Sequence, residues 1–284
     1  MPICLADANS RRRFLGFKVA INRSRVILVV SPEPLRLITM NFRLFNVIRV
    51  GLPLFLSATS GIAGVADDLV ILHIEAIGGQ AAVEALKAVR KDGYNEFGER
   101  RIPITIWGSV PDRIRIETHL NEDTTLIQGY DGIEAWQVRV RNGQVEEMTM
   151  TKDEHRQFIN DAWFRGPLSD VGVRGVELKY GGVKTINESR CFLIEVTGER
   201  AKTCQVLIAG DTYQLTAKKA EQVIRGRSVP VLHQYSEFQP IAGVWLPHRI
   251  ETIQDNHLSI VTVLHTITPN PALPPDIFKK PEIK

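Results

Sequence analysis

Cysteine is scarce in this chain of 284 residues, with only three present. So few cannot staple a disulfide-dense miniprotein. Net charge is scarce too: 35 Lys and Arg stand against 32 Asp and Glu, a formal +3. That is too weak for the basic footprint of a nucleic-acid partner. With 24% charged and 44% hydrophobic residues, the chain is neither disordered nor polytopic in a membrane. Catalytic signatures are missing: no H-E-x-x-H, no paired C-x-x-C, no G-x-S-x-G and no G-x-x-x-x-G-K-S/T. Gly181-Gly182-Val183-Lys184-Thr185 has the wrong spacing for a phosphate loop and reads as a Gly-Gly turn between strands. The seven histidines are scattered; His257 and His265 share a strand face but lie eight residues apart, too far to share a metal at ~3.4 Å per residue. Glu146 and Glu147, adjacent on a strand, face opposite ways and make no acid/base dyad. The sequence thus offers no catalytic residue, no metal site and no cofactor site, and the expectation is a protein that is not an enzyme.

The charge is unevenly placed. Residues 1–66 carry nine Lys and Arg but only Asp7 and Glu33 as acids, which leaves residues 67–284 with 26 basic and 30 acidic groups, a net charge of −4. Arg43 and Arg49 follow Met40, then an uncharged stretch runs from Val50 through Ala66 and ends Gly64-x-Ala66 before Asp67-Asp68. A basic start, an apolar middle and a small-x-small end describe a secretory signal peptide over 40–66, cleaved after about Ala66. The stretch has 17 residues and contains Pro53, Ser57, Thr59 and Ser60, short of the ~20 strongly apolar residues of a membrane span. Residues 1–39 are read as an upstream extension before a true start at Met40, residues 67–284 as one domain, and the compartment as the periplasm, with no stable membrane span after cleavage.

Residues 69–91 carry Ile71, Ile74, Ile77, Val83, Leu86 and Val89 at helical spacing, interrupted by Gly78-Gly79, and predict two short helices. From Asp92 the period changes to two. Ile104-Thr105-Ile106-Trp107 and Arg113-Ile114-Arg115-Ile116 alternate like half-buried strands about a Val110-Pro111-Asp112 turn. Further strands are predicted at 124–130, 133–141, 144–150, 176–180, 182–188, 190–197, 203–209, 212–219, 228–238, 244–253 and 257–268. Asp131-Gly132 and Asn142-Gly143 supply hairpin signals. Residues 152–164 break this rhythm, with Phe158, Ile159, Ala162 and Trp163 on one side of an amphipathic helix. The rhythm is that of a mainly antiparallel sheet, without βαβ alternation. Such a sheet, strongly curved and with an amphipathic helix over its mouth, can leave an apolar cavity suited to an acyl chain, each buried methylene contributing ~0.8 kcal/mol. Cys191 and Cys204 lie on two neighbouring strand-like segments; they either bridge across a hairpin in an oxidising compartment or sit as two small apolar residues.

Several motifs, in this order, resemble the LolA-type outer-membrane lipoprotein-sorting carriers. They are Ala76-Ile77-Gly78-Gly79 in the first helix, Trp107-x3-Pro111, Asp131-Gly132-x3-Trp136, Tyr235-x2-Phe238-x-Pro240-x2-Gly243-x-Trp245-x-Pro247 and the ending Asn270-Pro271-x2-Pro274-x2-Ile277-Phe278. The resemblance implies a mainly β fold: a single curved antiparallel sheet forming an incomplete β-barrel, closed by the N-terminal and mid-chain helices. It implies a non-catalytic carrier of lipid or lipoprotein acyl chains, with Trp107, Ile114, Ile116, Trp136, Phe158, Ile159, Ala162 and Trp163 lining the cavity. A regulatory or scaffold role in the envelope, with a protein partner on the same fold, is the alternative. One position departs from the pattern: the carriers have an arginine before the proline of the early turn, holding the lid closed, and here that residue is Val110.

Overall fold

The computed structural model describes residues 63–282, except 170, 187, 199–203, 225 and 226. The upstream extension 1–39 and nearly all of the expected signal peptide lie outside the described residues. The first helix, α1 (Ala63–Ala76), is followed by α2 (Gln80–Ala85). Ala66, Leu69, Val70, His73, Ile74 and Ile77 are buried, the i, i+3, i+4 stripe of a helix that packs one face. The break between the helices is steric as well as conformational. Gly78 has φ 128°, and a Cβ there would lie 1.9 Å from the Gly243 carbonyl oxygen. Beside it, the Trp245 N–H donates to the Ile77 carbonyl at 2.8 Å.

The helical spacing predicted through Lys91 ends early. β1 (Ala88–Phe97) begins there instead, because its backbone is claimed on both sides: Val89 pairs with Gly108 on one neighbour and Pro269 on the other. Two ladders outweigh a weak local preference. The remaining strands are β2 (Arg100–Ser109), β3 (Arg113–Asn121), β4 (Thr124–Tyr130), β5 (Ala135–Arg141), β6 (Gln144–Met148), β7 (Glu177–Ile186), β8 (Ser189–Thr197), β9 (Cys204–Ala209), β10 (Leu215–Ile224), β11 (Arg227–Ile241), β12 (Val244–Gln254) and β13 (His257–Pro269). They form one antiparallel sheet in the order β6-β5-β4-β3-β2-β1-β13-β12-β11-β10-β9-β8-β7. The predicted pair 176–180 and 182–188 is a single strand, β7. The Gly181-Gly182 read as a turn is a bulge between Tyr180 and Gly182, and a Cβ on Gly181 would meet Leu193 at 2.7 Å. Glycine marks a close approach there rather than a reversal.

Two meanders, β1–β6 and β7–β13, are thus joined through the β1–β13 ladder. β6 and β7 are consecutive in sequence yet occupy opposite edges. The 28 residues between Met148 and Glu177 must therefore cross from one edge to the other. They carry α3 (Lys152–Asp161) and the single turn α4 (Val171–Arg174). A capping box starts α3: the Thr151 hydroxyl accepts from the Glu154 N–H while the Glu154 carboxylate accepts from the Thr151 N–H, satisfying two otherwise orphaned donors. His155 Nε2 accepts from the Ala135 N–H at 3.1 Å, which ties α3 to β5. The main core lies between the sheet's inner face and α1, α2 and this connection. It joins Leu69, Ile74 and Val83 to Val89, Ile194, Val206, Val244 and Leu264, with Leu168 of the connection.

Cys191 and Cys204 do not bridge. Cys191 is opposite Ala209, and Cys204 is opposite Val196. They stand five positions apart along the ladder, roughly 17 Å at ~3.4 Å per residue. They also occupy different faces. Cys191 packs with Leu193, Leu207 and Ala217, whereas Cys204 packs against the main core. Neither is in a disulfide.

Candidate functional site

The inner face near the sheet centre is assembled by pairing. Residues directly opposite in antiparallel strands share a face. Lys91 is opposite Ile106, and Ile106 opposite Ile116. Ile104 lies two residues along from Ile106, on the same face. These side chains, with Ile114, form one wall of a cavity of about 390 Å³. α1 contributes His73, the turn after it Ile77, β11 Tyr235, and β12 Leu246 and Ile250.

The connection between β6 and β7 supplies the roof through Trp163, Phe164 and Arg165. Phe164 rests on Gly108, where an added Cβ would approach the Phe164 Cβ to 2.8 Å. The Arg165 guanidinium, buried at 9% exposure, donates from Nε to the Leu86 carbonyl at 2.9 Å. The Ser169 hydroxyl in turn donates to the Arg165 carbonyl at 2.8 Å. Arg165 therefore binds the end of α2, where helix carbonyls lack partners and attract a cation. Val110, at the position where the resemblance implies an arginine, gives only its N–H, to the Lys87 carbonyl at 3.0 Å.

Burial shifts two titratable groups in the cavity wall. His73 is buried, and its Nδ1 is 2.8 Å from the Tyr213 carbonyl oxygen. A carbonyl only accepts, so Nδ1 carries the proton. Burial lowers the His73 pKa, and this bond offsets part of the effect. Lys91 has no hydrogen-bond or ion-pair partner among the described residues, and the area it leaves uncovered faces the cavity. Burial pushes its pKa down to about 8.

Of the residues expected to line the cavity, Ile114, Ile116 and Trp163 do so. Phe158, Ile159 and Ala162 instead pack beside it, against Ile114, Tyr130 and Ala135. The polar side of α3 faces the cavity, through Asp153, Arg156 and Gln157. Trp107 and Trp136 are on the outer face. Trp107 follows Ile106, so the strand period of two turns it away. The guanidinium of Arg115, ion-paired to Glu117 at 2.6 Å, stands 6.0 Å from the Trp107 ring and 5.7 Å from the Trp136 ring. Trp136 lies flat over Gly129, whose missing Cβ would fall 2.2 Å from the indole. Its Nε1 donates to the Phe278 carbonyl at 3.0 Å. Trp136, with Arg115 donating to the Ile277 carbonyl at 3.2 Å, holds the C-terminal tail to the sheet's back. Sequence reading missed Ile104, Ile106, Phe164, Arg165, His73 and Lys91. The alternation Ile104-x-Ile106 opposite Ile114-x-Ile116 was the signal for the wall; Lys91 was hidden by its assignment to a helix.

Among the described residues, no group of three or more His, Cys, Asp or Glu is placed to hold a metal ion. No helix among them is long and apolar enough to cross a membrane.

No protein-family model matches the sequence, and no curated protein matches it. Solved structures do match in fold. A DUF1329 family protein from Desulfovibrio piger aligns with TM-score 0.53 at 13% identity, over 75% of this chain and 97% of that one. A putative outer membrane lipoprotein-sorting protein domain from Vibrio parahaemolyticus aligns with TM-score 0.51 at 9% identity, over 75% and 97%. A LolA superfamily protein from Nitrosomonas europaea aligns with TM-score 0.49 at 14% identity, over 76% and 97%. The architecture is an open antiparallel half-barrel with helices on its inner face. The fold of this chain is LolA-like.

Proposed function

We propose that this protein is a periplasmic, non-catalytic binder or carrier of lipid or lipoprotein acyl chains. The carrying observation is the cavity: a space of about 390 Å³, partly open to solvent, with Ile104, Ile106, Ile114, Ile116 and Ile250 in its wall and Trp163 and Phe164 over it. The isoleucine wall gives an apolar guest its contact area, and charged and polar side chains such as Lys91, Asp153, Arg156 and Gln157 line the rest. The LolA-like fold supports the same reading, as does the expected export signal.

The test is organic extraction of protein purified without detergent, with mass spectrometry of the extract, followed by reloading of the stripped protein. Co-purified lipid, or uptake by the stripped protein, is the expected result. Failure of both overturns the reading. Trp163→Asp puts a charge in the roof and is expected to reduce uptake at least tenfold. N-terminal sequencing of exported protein checks the compartment: a start at Asp67 is expected, and a start well before residue 60 overturns cleavage.

A further inference from the structure

One feature of the cavity has no use in a purely apolar container. Lys91 sits on β1, near the centre of the sheet, and its two cross-strand partners are Ile106 and Ile267. Both faces of the choice are costly: the ammonium loses water, and the isoleucines gain nothing from it. The other cations of the lining are committed. Arg156 is paired with Asp153 at 3.6 Å, Arg165 bonds the Leu86 carbonyl, and Lys218 has its own partner. The lining acids are not aimed at Lys91 either: Asp153 holds Arg156, and Glu221 accepts from the Ser228 hydroxyl at 2.9 Å.

The volume sets the scale of the guest. A cavity of about 390 Å³, partly open to solvent, has room for at least one chain of about a dozen methylenes at ~30 Å³ each.

Resting on the lipid-binding reading above, we propose that the guest is a single-chain amphiphile with an acidic head. Its chain lies against Ile104, Ile106, Ile114 and Ile116, and its carboxylate or phosphate pairs with the Lys91 ammonium. The guest supplies the counter-charge that the protein withholds. A half-buried cation with no protein partner among the described residues is favourably satisfied by an anion held close to it. The ammonium stays mostly protonated at neutral pH, since burial lowers its pKa only to about 8.

The experiment is calorimetric titration of stripped full-chain protein with dodecanoate, methyl dodecanoate, dodecyl phosphate and inorganic phosphate, repeated on Lys91→Met. Dodecanoate and dodecyl phosphate are expected to bind at least tenfold tighter than the ester. Inorganic phosphate is expected to bind at least a hundredfold more weakly than dodecyl phosphate. Lys91→Met is expected to lose the preference for acids over the ester. Equal binding of acid and ester overturns the acidic head while leaving the lipid reading intact. Inorganic phosphate binding as tightly as dodecyl phosphate overturns the amphiphile. A preference that survives in Lys91→Met overturns the assignment to Lys91. Binding of none of the probes overturns both this inference and the reading beneath it.

Discussion

Lys91 trades stability for a charge in the cavity, and the trade has a sign that pH reveals. Its pKa is about 8 in the folded chain against an ordinary 10.5, so the unfolded chain binds more protons between these values. Stability therefore rises with pH from about 8 to 10.5 and carries the full penalty below 8. Because the side chain keeps some exposure to the cavity, the penalty is set at about 1–3 kcal/mol rather than the full shift. Lys91→Met is expected to be more stable by that amount in urea unfolding at pH 7, and no more stable at pH 11. His73 acts on the other side of neutrality. Its folded pKa lies below the ordinary 6.5, so the unfolded chain takes the proton first and stability falls as pH drops below 6.5. Replacing His73 with Gln is expected to flatten this acid limb of a thermal-unfolding series, whatever it does to stability at pH 7.

At the scale of elements, two of the contacts that hold the roof can be removed one at a time. Arg165→Ala deletes the bond to the Leu86 carbonyl, a charge-assisted bond worth about 1.5–3 kcal/mol. The expected outcome is faster release of a preloaded fluorescent fatty acid, with the sheet's circular dichroism unchanged. Gly108→Val forces Phe164 off the sheet and is expected to give the same phenotype from the wall side. The cysteines give a third check. Under non-reducing, native conditions a thiol reagent is expected to modify Cys204, which is half-buried, before the buried Cys191, and denaturation is expected to release two thiols from the described domain.

The strands themselves were legible, because alternation and Asp-Gly or Asn-Gly turns are local signals. The helix boundary at Leu86 was not, because β1 is specified by ladders to β2 and to β13, the latter more than 160 residues away. The site was half legible for the same reason. Ile114, Ile116 and Trp163 were found, but Trp107 and Trp136 were assigned to the wrong face. Both faces of this sheet carry large apolar residues, since the tail residue Phe278 covers the back. Composition along a strand cannot choose between two covered faces. Arg165 gave no local signal at all; its partner Leu86 is 79 residues away.

At the scale of the molecule, the two meanders are held by the β1–β13 ladder and by the connection between β6 and β7, two attachments of different kinds. A protease cut engineered into that connection, between Met148 and Glu177, leaves the ladder untouched. The nicked protein is expected to elute from a sizing column as one particle under native conditions and to fall into two fragments only in denaturant, while losing retention of bound lipid. Separation of the fragments without denaturant would show that the ladder alone does not hold the halves together.

The placement of β6 and β7 at opposite edges makes roof and wall a single mechanical circuit. The sheet is the bow and the 28-residue connection its string. Flattening the bow lengthens the span that the string must cross and draws it toward the sheet; deepening the curve slackens it. The capacity of the container is therefore set as much by the length of one loop as by thirteen strands. Shortening or lengthening that loop would retune which guest fits, without a single change in the walls.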